Sequence, residues 1–161
     1  MINLHIQVAK PYGAAEKKID KRIMKMKWIL TKTKIDEQEF TNIEKELKVQ
    51  FPTDFKDIVL KYNGASPKYI AYDTENTKGR VAEYLLSFTN NDQDNIIDTY
   101  NAIKDRLEEG LVPVMKDPFG NFICFNFSKK DSCELVFWNH DNNNIEYISQ
   151  SFSNFLEKLY D

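Results

Sequence analysis

The side chains that could carry out chemistry are few and dispersed. Only two histidines occur, His5 and His140. His140 precedes Asp141 in VFWNHD, and an imidazole beside a carboxylate can relay a proton. A lone pair of this kind, where a strand runs into a turn, is more commonly structural. Glu108-Glu109 and Asp92 with Asp94 provide paired carboxylates. Both pairs fall at expected helix ends, where acidic groups serve the helix dipole and its free N–H groups. Cys124 and Cys133 match no zinc spacing, and there is no second pair to complete a site. The stretch NHDNNNIE has the oxygen density of a calcium loop. It lacks the glycine such a loop needs at its sixth position, and counted from Asp141 the final ligand position holds Phe152 rather than Glu. No G-x-S-x-G, Walker, H-E-x-x-H or G-x-G-x-x-G pattern is present. The sequence therefore leads us to expect no catalytic residues, no metal and no cofactor.

Composition bounds the rest. A chain of 161 residues suits one domain whose core needs no staples. Eleven Phe and eight Tyr supply its apolar area. The net charge of −3 hides an asymmetry. Residues 1–34 carry nine Lys or Arg against two acidic groups, or +7, and residues 35–161 carry thirteen against twenty-three, or −10. The acidic body favours a basic protein partner and disfavours nucleic acid, whose phosphates call for Lys and Arg. The N-terminal stretch MINLHIQVAKPYGAAEKK has no apolar run of signal length, and no stretch is long enough to span a bilayer. A cytoplasmic, reduced protein is expected, with both cysteines as thiols.

The elements that must position these residues can be read from periodicity. Residues 1–32 form a basic extension, with strand character in NLHIQVA and helical character in AAEKKIDKRIMKMKWIL. From residue 33 the signals sharpen. IDEQEFTNIEKELKV puts Phe40, Ile43 and Leu47 on one helical face, with Asp36 and Glu39 at capping-box spacing. In FPTDFKDIVLKYNG, Pro52 opens a helix, Thr53 or Asp54 serves its free N–H groups, and Phe55, Ile58, Val59 and Tyr62 form the buried stripe. Asn63-Gly64 supplies left-handed residues for the stop. KYIAYD and RVAEYLLSF read as strands. Residues 92–110 read as a helix capped by Asp92 or Asp94 and ended by Gly110. LVPVM, NFICFNF, ELVFWNH and IEYIS read as strands, with a turn at DPFGN that needs Gly120 at positive φ. SFSNFLEKLY closes as a helix capped by Ser149 or Ser151. This order gives an α+β single domain, with a mainly antiparallel sheet of about six strands flanked by about four helices.

With these elements placed, the chain resembles the SUKH superfamily, in its cell-wall assembly regulator branch. The resemblance rests on Glu44 in NIEKEL, Phe51-Pro52, Phe55 with IVLKY, Asn63-Gly64, the run GLVPVMKDPFGNFICFNF with VFWNHD, and the closing Ser151-Phe152, Phe155-Leu156 and Leu159. It covers residues 33–161. Phe51 stands where Leu is usual, Asn121 where Asp is common, and Ala65 where a further Gly is common. The resemblance implies framework roles for Glu44, Pro52, Asn63, Gly64, Gly120, Trp138, His140, Phe152 and Leu156. It also implies a non-enzymatic protein-binding module, either an immunity protein neutralising a toxin domain such as a nuclease, or a regulatory scaffold without a toxin partner. The expected partner-binding residues are Tyr69, Tyr72, Asp73, Glu75, Glu83 and Tyr84, although the same tyrosines also suit the core. A third reading places a small ligand or a reaction near Asn121, Trp138 and His140.

Overall fold

A computed structural model describes residues 27–161. The strand and helix expected within residues 1–26 lie outside that range. Strand β1, Trp28–Ile29, pairs antiparallel with β2, Ser66–Pro67. The Trp28 ring stacks on Tyr62 with centroids 6.0 Å apart, so residues assigned by sequence to the extension, and in part to a helix, pack as a strand on the body.

Helix α1 spans Glu37–Leu47 and opens on the expected box. Asp36 accepts from the Glu39 N–H at 2.8 Å, and Glu39 accepts from the Asp36 N–H at 3.2 Å. It buries Phe40, Ile43 and Leu47 and ends at Lys48, whose φ is +58°. The Glu44 carboxylate then accepts from the Phe51 N–H at 2.7 Å, which fixes the turn into the next helix. Partial burial pushes the Glu44 carboxyl up, while the Phe51 N–H and the Lys56 charge pull it back only in part.

Helix α2 spans Thr53–Tyr62, with Pro52 at its N-cap and Phe55, Ile58 and Val59 buried. Asp54 serves the helix start as expected, accepting from the Phe55 N–H at 2.8 Å. Its other oxygen reaches across the sequence to accept from the Ser153 N–H at 2.9 Å and from the Ser153 hydroxyl. This joins α2 to the last helix, α4, Phe152–Glu157.

Asn63 departs from expectation. Its φ is −48°, and only Gly64, at +72°, takes the left-handed turn. Asn63 is buried and its side chain is a junction. The amide donates to the Thr33 carbonyl at 2.7 Å and to the hydroxyls of Ser87 and Thr89, and its oxygen accepts from the Phe88 N–H at 2.8 Å. A backbone strap, a helix end and a loop meet on one side chain.

The two long strands expected over residues 68–88 break into two-residue pieces. These are β3, Ala71–Tyr72, paired with β4, Arg80–Val81, and then β5, Tyr84–Leu85. Helix α3 is Ile96–Ile103, shorter than expected, and Asn95, not Asp92 or Asp94, caps it by accepting from the Asp98 N–H at 2.8 Å. Past Ile103 the N–H groups of Arg106 and Leu107 bond three residues back, to the carbonyls of Ile103 and Lys104, and there Ile103 and Leu107 pack on the sheet while Arg106 lies over Trp138. The main sheet is an antiparallel meander in the order β5-β6-β7-β8-β9, with β6 Leu111–Lys116, β7 Phe122–Asn126, β8 Glu134–Trp138 and β9 Ile145–Ser149.

An aromatic core fills the space between the helices and one sheet face. Phe55 meets Phe125 and Phe152 edge-on, each at 5.1 Å, and Phe40 stacks on Phe88 at 4.8 Å. Phe152 and Leu156 of the family pattern belong to this core. A smaller cluster, Leu111, Cys124, Val136 and Trp138, lies apart from it. The fold is α+β with mainly antiparallel sheet, as expected.

Asn63→Ala removes the junction and leaves the buried Phe88 N–H without its acceptor. We expect a loss of about 2–4 kcal/mol in urea unfolding. A loss below about 0.5 kcal/mol, the range of an ordinary surface substitution, would remove Asn63 from the framework.

Candidate partner-binding face

The β3–β4 hairpin is built by local chemistry. The Thr74 hydroxyl accepts from the Thr77 N–H at 3.0 Å, and the Thr74 N–H donates to the Thr77 carbonyl at 2.8 Å. Gly79, at φ +75°, donates its N–H to Asp73 at 2.9 Å. The hairpin is then clamped to the last sheet strand. Arg80 donates to both oxygens of Glu146, at 3.1 and 2.9 Å, and its guanidinium lies 3.6 Å from the Phe137 ring centroid. The hydroxyls of Thr74 and Thr77 also donate to Glu146. Partial burial would raise the Glu146 carboxyl, yet the Arg80 and Thr74 hydrogen bonds and the Arg80 charge hold it below the usual carboxylate range.

This clamp assembles an exposed face. Ala71 and Tyr160 exchange backbone hydrogen bonds, and the Tyr160 hydroxyl donates to Asp73 at 2.7 Å. Glu75 donates its N–H to the Tyr147 carbonyl at 3.0 Å and accepts from the Tyr147 N–H at 2.9 Å through its carboxylate. Hydrogen bonds and chain continuity thus connect Tyr69, Ile70, Asp73, Glu75, Tyr147 and Tyr160. Their large apolar members remain open to solvent: Tyr69 41%, Ile70 39%, Tyr147 38% and Tyr160 42% exposed. The Gly79 N–H and the Tyr160 hydroxyl hold Asp73 below its ordinary range, so it stands ionised. The bond to Asp73 raises the Tyr160 phenol. Aromatic rings flanking fixed carboxylates can bury apolar area and receive cations, as a protein-binding site requires.

Of the six residues expected to bind a partner, the structure brings Tyr69, Asp73 and Glu75 together. Tyr72 does not join them. It is fully buried, with its ring edge-on to Phe155 at 5.3 Å, and desolvation drives its phenol far upward. Glu83 and Tyr84 lead instead to β6, where the Glu83 N–H donates to the Lys116 carbonyl. The Tyr84 hydroxyl donates to Asp94, and its ring lies 5.0 Å from the Lys32 ammonium and 5.7 Å from that of Lys116. These three residues are therefore not anchors of this face. Sequence reasoning missed Ile70, Tyr147 and Tyr160. The apolar-polar alternation of IEYIS is imperfect, and Tyr160 reaches the hairpin only through a contact made in three dimensions.

The residues of the third reading brace two turns. Asn121 is buried, and its oxygen accepts from the His140 N–H at 3.0 Å and lies 2.8 Å from His140 Nδ1. Its amide donates to Asp117 at 2.9 Å, and Asp117 accepts in turn from the Phe119 and Asn121 N–H groups. Because that oxygen is an acceptor, Nδ1 carries the proton. His140 Nε2 lies 3.1 Å from Asp141. Gly120, at φ +89°, lets the backbone pass the imidazole, which a Cβ there would touch at 3.4 Å. Arg106 donates to the His140 carbonyl and to Asn143. Trp138 is only 1% exposed. Asn121 thus joins Asp117 to His140, while the buried Trp138 indole N–H has no hydrogen-bond partner. Among the described residues no group of three His, Cys, Asp or Glu is placed to hold a metal, and no helix is long and apolar enough to cross a membrane.

Comparison with known proteins adds two findings. The profile of the family described as SUKH_6: SMI1-KNR4 cell-wall matches residues 37–156. The chain is also 25% identical over 148 residues to the SPbeta prophage-derived uncharacterized protein YokK of Bacillus subtilis (strain 168), covering 77% of this chain and 74% of that protein.

Removing the clamp should free the hairpin. Glu146→Ala is expected to cost about 1–3 kcal/mol and to speed amide exchange at Gly79. The Glu146 carboxyl titrates below its ordinary value of 4.5, so the clamp's contribution is complete above that pH and is lost as pH falls through the folded value. Unchanged Gly79 exchange in the variant would mean that the hairpin is held by other contacts.

Proposed function

The chain belongs to the SMI1-KNR4 cell-wall family, and from that premise we propose that it is a non-enzymatic immunity protein that neutralises a basic toxin domain. The observation that carries this reading is the exposed face of Tyr69, Ile70, Tyr147 and Tyr160 set around Asp73 and Glu75, beside the Arg80–Glu146 clamp. A toxin that acts on nucleic acid carries a basic grip for phosphate. The −10 of residues 35–161 meets such a surface with the opposite sign. Charge of this kind steers encounter toward ~10⁸–10⁹ M⁻¹s⁻¹ at low salt. An antidote to a lethal enzyme needs a dissociation constant near 1 nM, about −12 kcal/mol, and the aromatic anchors supply what screened charge does not. The prophage origin in the relative's name also supports the reading, since prophages carry genes between competing strains.

A second reading, a regulatory scaffold bound to a cellular assembly factor, is favoured by the cell-wall description of the family. The same face would serve it with a different occupant. The two readings separate on what the protein silences: a toxin in the first, nothing lethal in the second.

The test is to mix the purified chain with the product of the adjacent gene and follow toxin activity and association. We expect activity to be abolished, association to slow as salt rises, and Tyr147→Ala to weaken binding roughly 5- to 30-fold. An association rate indifferent to salt, together with full binding by the Tyr147 variant, would remove this face from the account.

A further inference from the structure

Strand β9 is the last strand of the five-stranded sheet, with β8 on one side. Such an edge presents N–H and C=O groups to any extended chain that approaches. Here the outward groups of Tyr147 are both taken by one residue of the β3–β4 hairpin. The Glu75 N–H donates to the Tyr147 carbonyl, and the Glu75 carboxylate accepts the Tyr147 N–H. In an antiparallel ladder a facing residue would make the same two bonds, its own carbonyl standing where the carboxylate now lies. Glu75 imitates a strand at one position and occupies the edge without extending it. Its carboxylate is exposed and sits on a flexible side chain, so water can replace it at little cost.

We propose that the outer edge of β9 at Tyr147 is a strand-docking surface for an extended segment of a basic partner, and that Glu75, through its backbone N–H and its carboxylate together, is the guard that such a segment displaces. The inference rests on the function proposed above and specifies how the partner would engage. The occupant's chemistry follows from what surrounds the edge. Asp73 is exposed and ionised beside it, while Tyr147 and Tyr160 offer apolar area. A docked strand would set Lys or Arg toward the carboxylate and apolar residues toward the rings, an alternation that the strand period of two allows. Main-chain bonds would supply affinity and the alternating side chains would supply selection. The Arg80–Glu146 clamp would hold the base of the hairpin in place while the tip residue gives way.

The experiment titrates the chain with a short synthetic peptide of alternating Lys and Val, followed by amide exchange, with two variants that lose the same charge. Glu75→Gln keeps an oxygen able to accept the Tyr147 N–H, and Glu75→Ala does not. A guard that must be displaced predicts that the Ala variant binds the peptide roughly three- to tenfold more tightly than the Gln variant. It also predicts that bound peptide slows exchange of the Tyr147 amide in both. Equal affinities of the two variants would overturn the proposal, as would binding without protection of Tyr147. In either case the peptide would be held by charge alone, and the proposed function would stand on its own test with the toxin. Failure of all forms to bind the peptide would overturn it as well. Circular dichroism of both variants confirms that the comparison is between folded proteins.

Discussion

The Arg80–Glu146 pair is the interaction on which the exposed face depends. The β3 and β4 strands are two residues long and could not hold a hairpin in place by their own ladder. The guanidinium joins that hairpin to β9 by two hydrogen bonds and lies over the Phe137 ring, while Thr74 and Thr77 complete the coordination of the same carboxylate. Replacing Arg80 by Lys would keep the charge and lose both the fork and the stacking. Everything on the face follows from this placement. Asp73 reaches Tyr160, Glu75 reaches Tyr147, and Tyr69 and Ile70 stand at the hairpin's base.

Behind the face the fold divides its tasks. The aromatic core around Phe55, Phe125 and Phe152 supplies most of the buried area. Polar junctions within it set register between elements distant in sequence. Asp54 ties α2 to α4, Asn63 ties the end of α2 to the loop before α3, and Asn121 with His140 ties two turns of the sheet. Each junction is satisfied by several partners, the condition under which a buried polar group specifies a structure without undermining it. This accounts for residues that look chemically suggestive in the sequence. His140 and Asp141 resemble the start of a catalytic relay, but Asn121 holds the His140 ring through Nδ1 as part of a turn brace, and the Asp141 carboxylate stands 80% exposed.

What could be read from the sequence follows from which interactions are local. The Asp36–Glu39 box, the stripe of α2, the positive φ at Gly120 and the Ser151 cap all depend on residues a few positions apart, and all appear in the structure. The errors occur where distant contacts decide. Asn63 looked like a turn residue because its junction partners lie at Thr33 and Phe88. Helix α3 looked longer because the contacts that Arg106 and Leu107 make with the sheet are invisible in the spacing. Tyr72 looked like an exposed anchor because short strands give too few alternations to show which side faces inward, and Tyr84 because its neighbours Lys32, Asp94 and Lys116 come from other segments. Two of the six residues of the candidate face, Tyr147 and Tyr160, could not have been assigned without the tertiary pairing.

We have proposed that the face built on the hairpin and β9 is where this acidic domain meets a basic protein. It is tested most directly by hydrogen exchange on the chain with and without the product of the neighbouring gene. The account predicts protection over residues 69–80 and 145–148 in the complex, with the groove between the end of α1 and α3, lined by Leu47, Ile97 and Tyr100, exchanging as in the free protein. Protection confined to that groove, with the hairpin unchanged, would contradict it.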